Sequence, residues 1–269
     1  MRMRTSFVAA CLIGAFGLAA ASRAAEPPKK AAAAPAATAA APASPGKLAD
    51  FWTFRPKAGH EAQFEAAMKS HLAWRKQAGE GWMWEAYQPT VGTDLARYVF
   101  RAGQRHWADF DAQQAWEAAN KASEAFNRDV SPHLEHYEHS IEEEVYENSH
   151  WVDGPDYRYI QVQTHKVKAG ANDAILAASA AIHQALQAGG WTGSYAVARE
   201  ISGSGAFKLA FPYTSYAAME GPQPGFMEVL AKGAGSAAAA QALLQKVDDA
   251  VESMDTTIYV MRPELSTQK

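Results

Sequence analysis

Cysteine is nearly absent from this chain: Cys11 is the only one among 269 residues. Once the N-terminal segment is removed, no disulfide, thiolate metal site, iron–sulfur cluster or cysteine nucleophile can form. A folded part without disulfides has to be stabilised by its hydrophobic core. The remaining length of about 220 residues is sufficient to build one.

A membrane-spanning run is also lacking. The apolar stretch at residues 7–21 is shorter than the roughly 20 residues that span a bilayer. It follows Arg2 and Arg4 and precedes Ser22-Arg23-Ala24, which is the pattern of a secretory signal peptide. We therefore predict a signal peptide over residues 1–24 and a periplasmic or secreted protein. Val8-Ala9-Ala10-Cys11 also resembles a lipoprotein signal, so lipidation at Cys11 is kept as an alternative.

Residues 26–46 contain no aromatic and no branched apolar side chain. Their lysines, prolines and alanine runs cannot bury enough surface to offset chain entropy, so we predict a disordered tether over residues 25–47. No basic stripe lies outside this tether, and the part from Leu48 onward is acidic overall. That charge argues against nucleic acid and against an anionic membrane surface as partners, and we expect no membrane insertion.

The remaining part of the chain contains an internal sequence repeat. Thr53-Phe54-Arg55-Pro56-Lys57-Ala58-Gly59 returns as Thr164-His165-Lys166-Val167-Lys168-Ala169-Gly170, and Gly79-Glu80-Gly81-Trp82 returns as Gly189-Gly190-Trp191. Val145-Tyr146 is matched with Ile258-Tyr259. The offset between the copies stays within 109–113 positions, as expected of a duplicated folding unit with small insertions at turns. We predict repeat 1 over residues 48–151 and repeat 2 over residues 157–265.

Each copy is predicted to run strand, helix, strand, strand, helix, strand. Alternating residues indicate the first strand, at residues 51–55 and 157–167. A helix follows from about Glu61 in copy one, and from Asn172 or Asp173 in copy two, and ends at a glycine. After a hairpin comes a helical region, at residues 107–127 in copy one and split by Gly233-Ala234-Gly235 in copy two. The last strands are predicted near residues 141–147 and 254–261.

This doubled unit resembles the dimeric α/β-barrel superfamily, which includes antibiotic-biosynthesis-monooxygenase-like, EthD-like and NIPSNAP-like proteins. The resemblance rests on the element order and on short fragments such as Lys57-Ala58-Gly59 and Trp107-Ala108-Asp109-Phe110. It implies an α+β fold in which two tandem ferredoxin-like β-α-β-β-α-β units pair their sheets into an α/β barrel. We expect a monomer that forms a pseudo-dimer, or a homodimer. Two independent ferredoxin-like domains are the alternative.

In such a barrel each strand has a helix-facing side and a lumen-facing side. We assign a ligand-binding set to the lumen: Trp52, Phe54, Glu85, Tyr87, Arg97, Arg101, Tyr146 and His165. Buried charges are costly unless they are paired. Arg97 and Arg101 therefore either form a structural network with Glu85, Glu142 and Glu144, or orient a ligand in a wet cavity.

Repeat 1 carries most of the chemically capable residues, since seven of the nine histidines and seven of the eight tryptophans lie within residues 48–151. His71, on the inward face of the first helix beside Trp74, is the candidate general acid or base. A single inward histidine is more often a satisfied core residue. The resembling monooxygenases act on aromatic polyketides or on haem with an Asn–Trp–His set, and no Asn occupies the first strand of repeat 1. We predict no cofactor, with haem as the one that the resemblance allows.

His133-Leu134-Glu135-His136-Tyr137-Glu138-His139 is the densest histidine cluster. On a helix, His133 and His136 would lie one turn apart and could share a metal. The spacing matches no established metal motif, so a charged and solvated helix end is the alternative, and we predict no metal. The sequence lacks a Gly-x-Ser-x-Gly elbow, and no lysine-bearing helix follows Gly203-Ser204-Gly205, which argues against hydrolase and nucleotide chemistry.

The leading hypothesis is a barrel whose lumen binds a small apolar or aromatic ligand with an anionic group. If the protein is an enzyme, this hypothesis has it oxidise that ligand. Trp52, Phe54, Tyr87 and Tyr146 would form the apolar walls. Arg97 and Arg101 would orient the anion, because a guanidinium offers paired donors. The rival hypothesis is a non-catalytic structural protein of the cell envelope whose lumen is filled by its own salt bridges.

Overall fold

The computed structural model describes residues 44–267. The predicted signal peptide and most of the predicted tether lie outside these residues. The strands are β1 Leu48–Pro56, β2 Glu85–Val91, β3 Tyr98–Arg105, β4 Leu134–Glu144, β5 Tyr159–Val167, β6 Ala196–Glu200, β7 Phe207–Tyr213 and β8 Val251–Met261. The helices are α1 Glu61–Gln77, α2 Trp107–Asn120, α3 Ala122–Asp129, α4 Asn172–Gly189, α5 Phe226–Ala234 and α6 Ala237–Ala250. Within this described range, no helix is both long and apolar enough to cross a bilayer.

The eight strands close into one antiparallel barrel in the order β1-β3-β2-β8-β5-β7-β6-β4. Repeat 1 supplies β1 to β4 and repeat 2 supplies β5 to β8. Two seams join the repeats, β2 with β8 and β4 with β6. The predicted fold class is therefore confirmed, and the alternative of two independent domains is wrong, because strands of both repeats share backbone hydrogen bonds.

Pairing in the sheet divides each strand of repeat 1 into two faces. Trp52 lies opposite Phe100, and Phe54 lies opposite Tyr98. Residues directly opposite each other in an antiparallel pair share a face, and these four pack with Phe64 and Met68 of α1 in one apolar cluster. This is the helix-covered face. The alternate residues, such as Phe51 opposite Arg101, face the lumen.

Repeat 2 builds its own cluster between its strands and helices, around Ile175, Leu186, Val197, Phe207 and Leu230. Two glycines allow α4 and α5 to approach closely. A Cβ on Gly233 would lie 1.7 Å from the carbonyl oxygen of Ala185, and one on Gly189 would lie 2.2 Å from that of Val229. Backbone contact at this distance requires glycine on both helices.

The helical region of repeat 1 differs from the prediction. It breaks after α2 at Lys121, which adopts the left-handed conformation with φ 52°, and α3 continues in a new direction. The histidine cluster is not helical either, because β4 begins at Leu134. A strand pairs there with β1 because alternate side chains can pack on Phe54 and Trp52. Tyr146 lies beyond β4 in a short 3₁₀ turn, so its match with Tyr259 inside β8 is wrong.

Candidate functional site

A cavity of about 180 Å³ lies in repeat 1, between the helix-covered face of the sheet and the helices α1, α2 and α3. Strands β1, β3 and β4 supply its floor and the helices supply its cover. Exposed Ser123 and Asn127 of α3 line its mouth. Its aromatic walls are Trp52, Phe54, Trp84, Phe100, Phe126 and Tyr137.

Trp52 is held in this wall by two neighbours. Its indole Nε1 donates a hydrogen bond to Asp50 Oδ2 at 3.1 Å, and the imidazole of His139 stacks on it with ring centroids 4.2 Å apart and 13° between planes. His139 Nε2 bonds the other Asp50 oxygen at 2.5 Å. The one polar atom of the indole is therefore satisfied outside the cavity, which leaves an apolar ring to face a ligand.

Among the described residues, His71 is the buried polar side chain of the cavity that lacks a hydrogen-bond partner. Its side chain comes from the inward face of α1 and is 5 % exposed, with Trp74 and Phe126 rings at 5.4 Å and 5.7 Å. Both ring nitrogens are buried without a hydrogen bond. Burial, assisted by the charge of Arg75, lowers the pKa of His71 to about 4. At neutral pH it is an uncharged imidazole with one unused donor and one unused acceptor.

Arg75 closes one end of the cavity, and its charge is already matched. Its Nε and Nη2 donate to the Glu80 carboxylate at 2.8 Å and 2.6 Å, and Nη2 also donates to Glu117 at 2.9 Å. Glu80, with a side chain only 1 % exposed, also accepts from Trp84 Nε1 at 3.2 Å and Gln113 Nε2 at 2.7 Å. Such a fork of paired bonds stabilises a buried arginine and leaves little of it for a ligand.

The barrel lumen is occupied by a second set of ion pairs. Arg101 bonds Glu85 at 2.7 Å and also bonds Glu144. Lys208 from repeat 2 pairs with Glu142. These contacts follow the salt-bridged arrangement that the rival hypothesis describes for the lumen.

Aromatic hydroxyls complete this lumen network. The guanidinium of Arg97 donates to the hydroxyl of Tyr259 at 2.5 Å and lies 5.5 Å from its ring centroid. The hydroxyl of Tyr146 bonds Glu144 at the barrel end. Burial raises the pKa of Tyr87, with Glu85 adding to the effect. Tyr87 therefore remains protonated at neutral pH.

The structure separates the predicted site residues into two groups. Glu85, Tyr87, Arg97 and Arg101 lie at the lumen. Tyr146 lies beyond β4 at the barrel end and is exposed, so it does not form the apolar wall that was assigned to it. Trp52 and Phe54 lie instead on the helix-covered face and meet His71 in the cavity. His165 is also on the helix-covered face, opposite Phe207 in repeat 2, where burial lowers its pKa. Both first strands were assigned to the wrong face, because both of their faces carry large or polar residues and alternation alone does not distinguish them.

Several residues that line the cavity were not predicted from the sequence. Phe126 enters through the break at Lys121, and Tyr137 enters through the strand that replaced the expected helix. Arg75 and Trp84 showed no pattern that could have found them. Asp50, which holds Trp52 from outside the cavity, carried a weak signal, because an acidic residue within an apolar strand is uncommon.

The comparisons with known proteins concern the fold. No family model and no curated protein sequence matches this chain. Similar solved structures include candidate monooxygenases from Lactobacillus acidophilus NCFM and Fusobacterium nucleatum subsp. nucleatum, each at 10% identity and a TM-score of 0.51 over 80% of this chain; 93% and 91% of those chains are covered. A mutant chlorite dismutase from Candidatus Nitrospira defluvii matches at 13% identity and a TM-score of 0.50, over 82% of this chain and 94% of that one.

Identities this low establish the fold alone. With the closed eight-stranded barrel, they place the chain among proteins with the dimeric α/β-barrel, ferredoxin-like fold. The predicted resemblance is confirmed at that level. Here the barrel is made by a tandem duplication within one chain.

Haem and metal can be tested against the residues present. His71 is the imidazole that lines the cavity, but about 180 Å³ is below the roughly 300–1,000 Å³ of pockets for drug-sized ligands. The cavity in this shape does not fit a tetrapyrrole. The helical argument for a metal at His133 and His136 no longer holds, because His136 lies in β4.

Proposed function

We propose that the cavity of repeat 1 binds a small aromatic ligand, and that the lumen serves the stability of the barrel. The observation that carries the proposal is an aromatic-walled space of about 180 Å³ that contains an unpartnered histidine. An apolar cavity of about 150 Å³ in another protein is known to hold benzene, so one substituted ring suits this space. Offset and edge-to-face contacts with the wall rings would add about 0.5–1.5 kcal/mol each.

This proposal replaces the lumen as the ligand site. Of the two arginines that were expected to orient an anion, Arg101 is matched by Glu85 and Glu144. Arg97 donates to the neutral hydroxyl of Tyr259, and its Nε has no partner among the described residues. The salt-bridged lumen supports the structural role that the rival hypothesis assigned to it. A structural lumen and a ligand cavity on the opposite face of the sheet are compatible.

Oxidation of the ligand is the reaction class to assay. His71 supplies an uncharged imidazole whose unpartnered nitrogen can accept a hydrogen bond from a ligand. A pKa lowered to about 4 makes it a weak base, so the assay supplies the oxidant, molecular oxygen, and the proton acceptor from solution. The two candidate monooxygenases share only the fold with this chain, so they guide the assay and identify no substrate.

We also propose that the protein is exported to the periplasm or secreted. The support is the pattern Arg2, Arg4, apolar residues 7–21 and Ser22-Arg23-Ala24. Mass spectrometry of the mature N-terminus tests it. A start near Ala25 is expected, whereas an intact Met1 or an acylated Cys11 contradicts it.

A blocked cavity tests the ligand proposal. Thermal shift with single-ring aromatics should raise the melting temperature of the wild type by mass action. Ser123→Phe places a ring at the mouth and should abolish the shift. Glu124→Phe, at the next position of α3, which is also exposed, is the matched control and should keep it. The proposal fails when no aromatic shifts the wild type, or when Ser123→Phe responds as the control does.

A further inference from the structure

The charged groups around the cavity are already paired with other protein groups, whereas one neutral polar side chain is not. Its arginine is matched by two carboxylates, and Gln113 Nε2 donates to both Glu80 and Glu117. The indole nitrogens of Trp52 and Trp84 donate to Asp50 and Glu80. Every charged group at the wall therefore has a protein partner, and a buried charge brought in by a ligand would find none free.

His71 is different, since both of its nitrogens are buried and unpartnered. Leaving a buried donor or acceptor unmet costs free energy that a suitable ligand group would recover. A hydroxyl can donate to one tautomer of a neutral imidazole and accept from the other. A carboxylate can only accept, and an ammonium can only donate.

The geometry points to His71 as the residue that determines specificity, and we propose that the cavity selects a single-ring, uncharged hydroxyaromatic over carboxylates, ammonium compounds and plain hydrocarbons. This inference rests on the proposed function and names its ligand class. It departs from the anionic ligand expected from the sequence, because the arginines behind that expectation, Arg97 and Arg101, are on the other face of the sheet.

Four toluene-based probes test the selection at pH 7: toluene, p-cresol, 4-methylbenzoate and 4-methylbenzylammonium. The neutral 4-methylbenzyl alcohol, which has the size of the ammonium probe, controls for size. We measure the dissociation constant of each with the mature chain by calorimetry. p-Cresol should bind roughly three- to tenfold tighter than toluene, as one added neutral hydrogen bond provides. The two ions should bind at least roughly tenfold more weakly than p-cresol.

Variants assign the preference to His71. His71→Phe keeps a ring and removes both nitrogens, so p-cresol and toluene should become equal. His71→Gln keeps a donor and an acceptor and should retain the preference for p-cresol. His165→Phe is the matched control, because His165 is also a buried histidine with an unpartnered nitrogen on the helix-covered face, but in repeat 2. It should leave all four constants unchanged.

The outcomes separate this inference from the proposal beneath it. Binding of toluene with no gain for p-cresol keeps the aromatic site and overturns the selection. Equal or tighter binding of either ion, or an undiminished p-cresol preference in His71→Phe, also overturns it. Failure of all four probes to bind the wild type overturns the aromatic site as well.

Discussion

At the scale of single residues, His71 makes stability depend on pH. Its folded pKa is about 4, against 6.5 for an ordinary histidine. The unfolded chain therefore binds this proton more readily than the folded one, so the stabilisation is present above pH 6.5 and is lost as the pH falls to 4. The loss attributable to His71 is about 3 kcal/mol.

This prediction is checked with urea unfolding of the wild type and His71→Phe at several pH values between 7 and 4. The carboxylates and His165 titrate in both proteins, so the difference between the two curves isolates His71. The wild type should lose about 3 kcal/mol more than the variant over this range. Parallel curves would show that His71 is not buried as described.

Glu80, the carboxylate that accepts hydrogen bonds from Arg75 at the end of the cavity, gives a second prediction for a single residue. Glu80→Gln removes the charge that Arg75 and two other donors share. Arg75 then keeps only the partly exposed Glu117 as a carboxylate partner, so the unfolding free energy should fall by roughly 2–3 kcal/mol. Glu124→Gln is the control: its carboxylate meets Lys121 at 3.7 Å in an exposed pair, and the change should stay within about 0.5 kcal/mol. Equal effects of the two substitutions would contradict the buried network.

The position of a single residue could be predicted from the sequence where it depends on local chemistry. His71 beside Trp74 was predicted from helix periodicity. The pairing of Arg101 with Glu85 and Glu144 was one of the two alternatives that the cost of buried charge left open. The prediction failed for Trp52 and Phe54, because their face depends on which residues of β3 and β4 lie opposite them. That register is a non-local property.

At the scale of elements, the crossing of α4 and α5 depends on glycine. The helical region of repeat 2 is split within the predicted segment Gly233-Ala234-Gly235: Gly233 lies inside α5, and Gly235 with φ 87° ends that helix. Alanine normally improves a helix interior. Gly233→Ala should instead cost roughly 3 kcal/mol, because its Cβ would meet the backbone oxygen of Ala185.

Gly81→Ala is the matched control, since no atom lies within 4 Å of the Cβ it would add. Its effect should stay within about 1 kcal/mol. Thermal unfolding of the two variants checks both values. A neutral or stabilised Gly233→Ala would mean that the two helices are farther apart.

Elements were predictable where both copies carried the same signal. Gly59 and Gly170, matched from sequence, both adopt φ 80° after their first strands. The start of β4 was missed because residues 134–140 are mostly polar and show no regular apolar alternation. Pairing with β1 and β6, and not local preference, makes that segment a strand.

At the scale of the whole molecule, each repeat needs the other. A fragment of residues 48–151 would leave β2 and β4 without their partners β8 and β6. Unpaired edges promote association. We expect an oligomer or an insoluble product in light-scattering chromatography, whereas a stable monomeric half would contradict the shared barrel.

The architecture could be predicted from the sequence because the same order of strand and helix patterns occurs twice, each time over about a hundred residues. The position of the site could not be predicted, since it depends on which face of the sheet in each repeat has a cavity between strands and helices. Repeat 2 places Gln163 and His165 where repeat 1 places Trp52 and Phe54. This asymmetry agrees with the excess of tryptophan and histidine in repeat 1.

The most direct measurement is a crystal structure of the protein soaked with p-cresol. The account predicts ring density between β1 and α3, in contact with Trp52 and Phe126, with the hydroxyl within hydrogen-bonding distance of His71. Arg101 should remain paired with Glu85 and Glu144. Density for the ligand in the lumen beside Arg101, or an unaltered cavity at saturating ligand, would contradict the account.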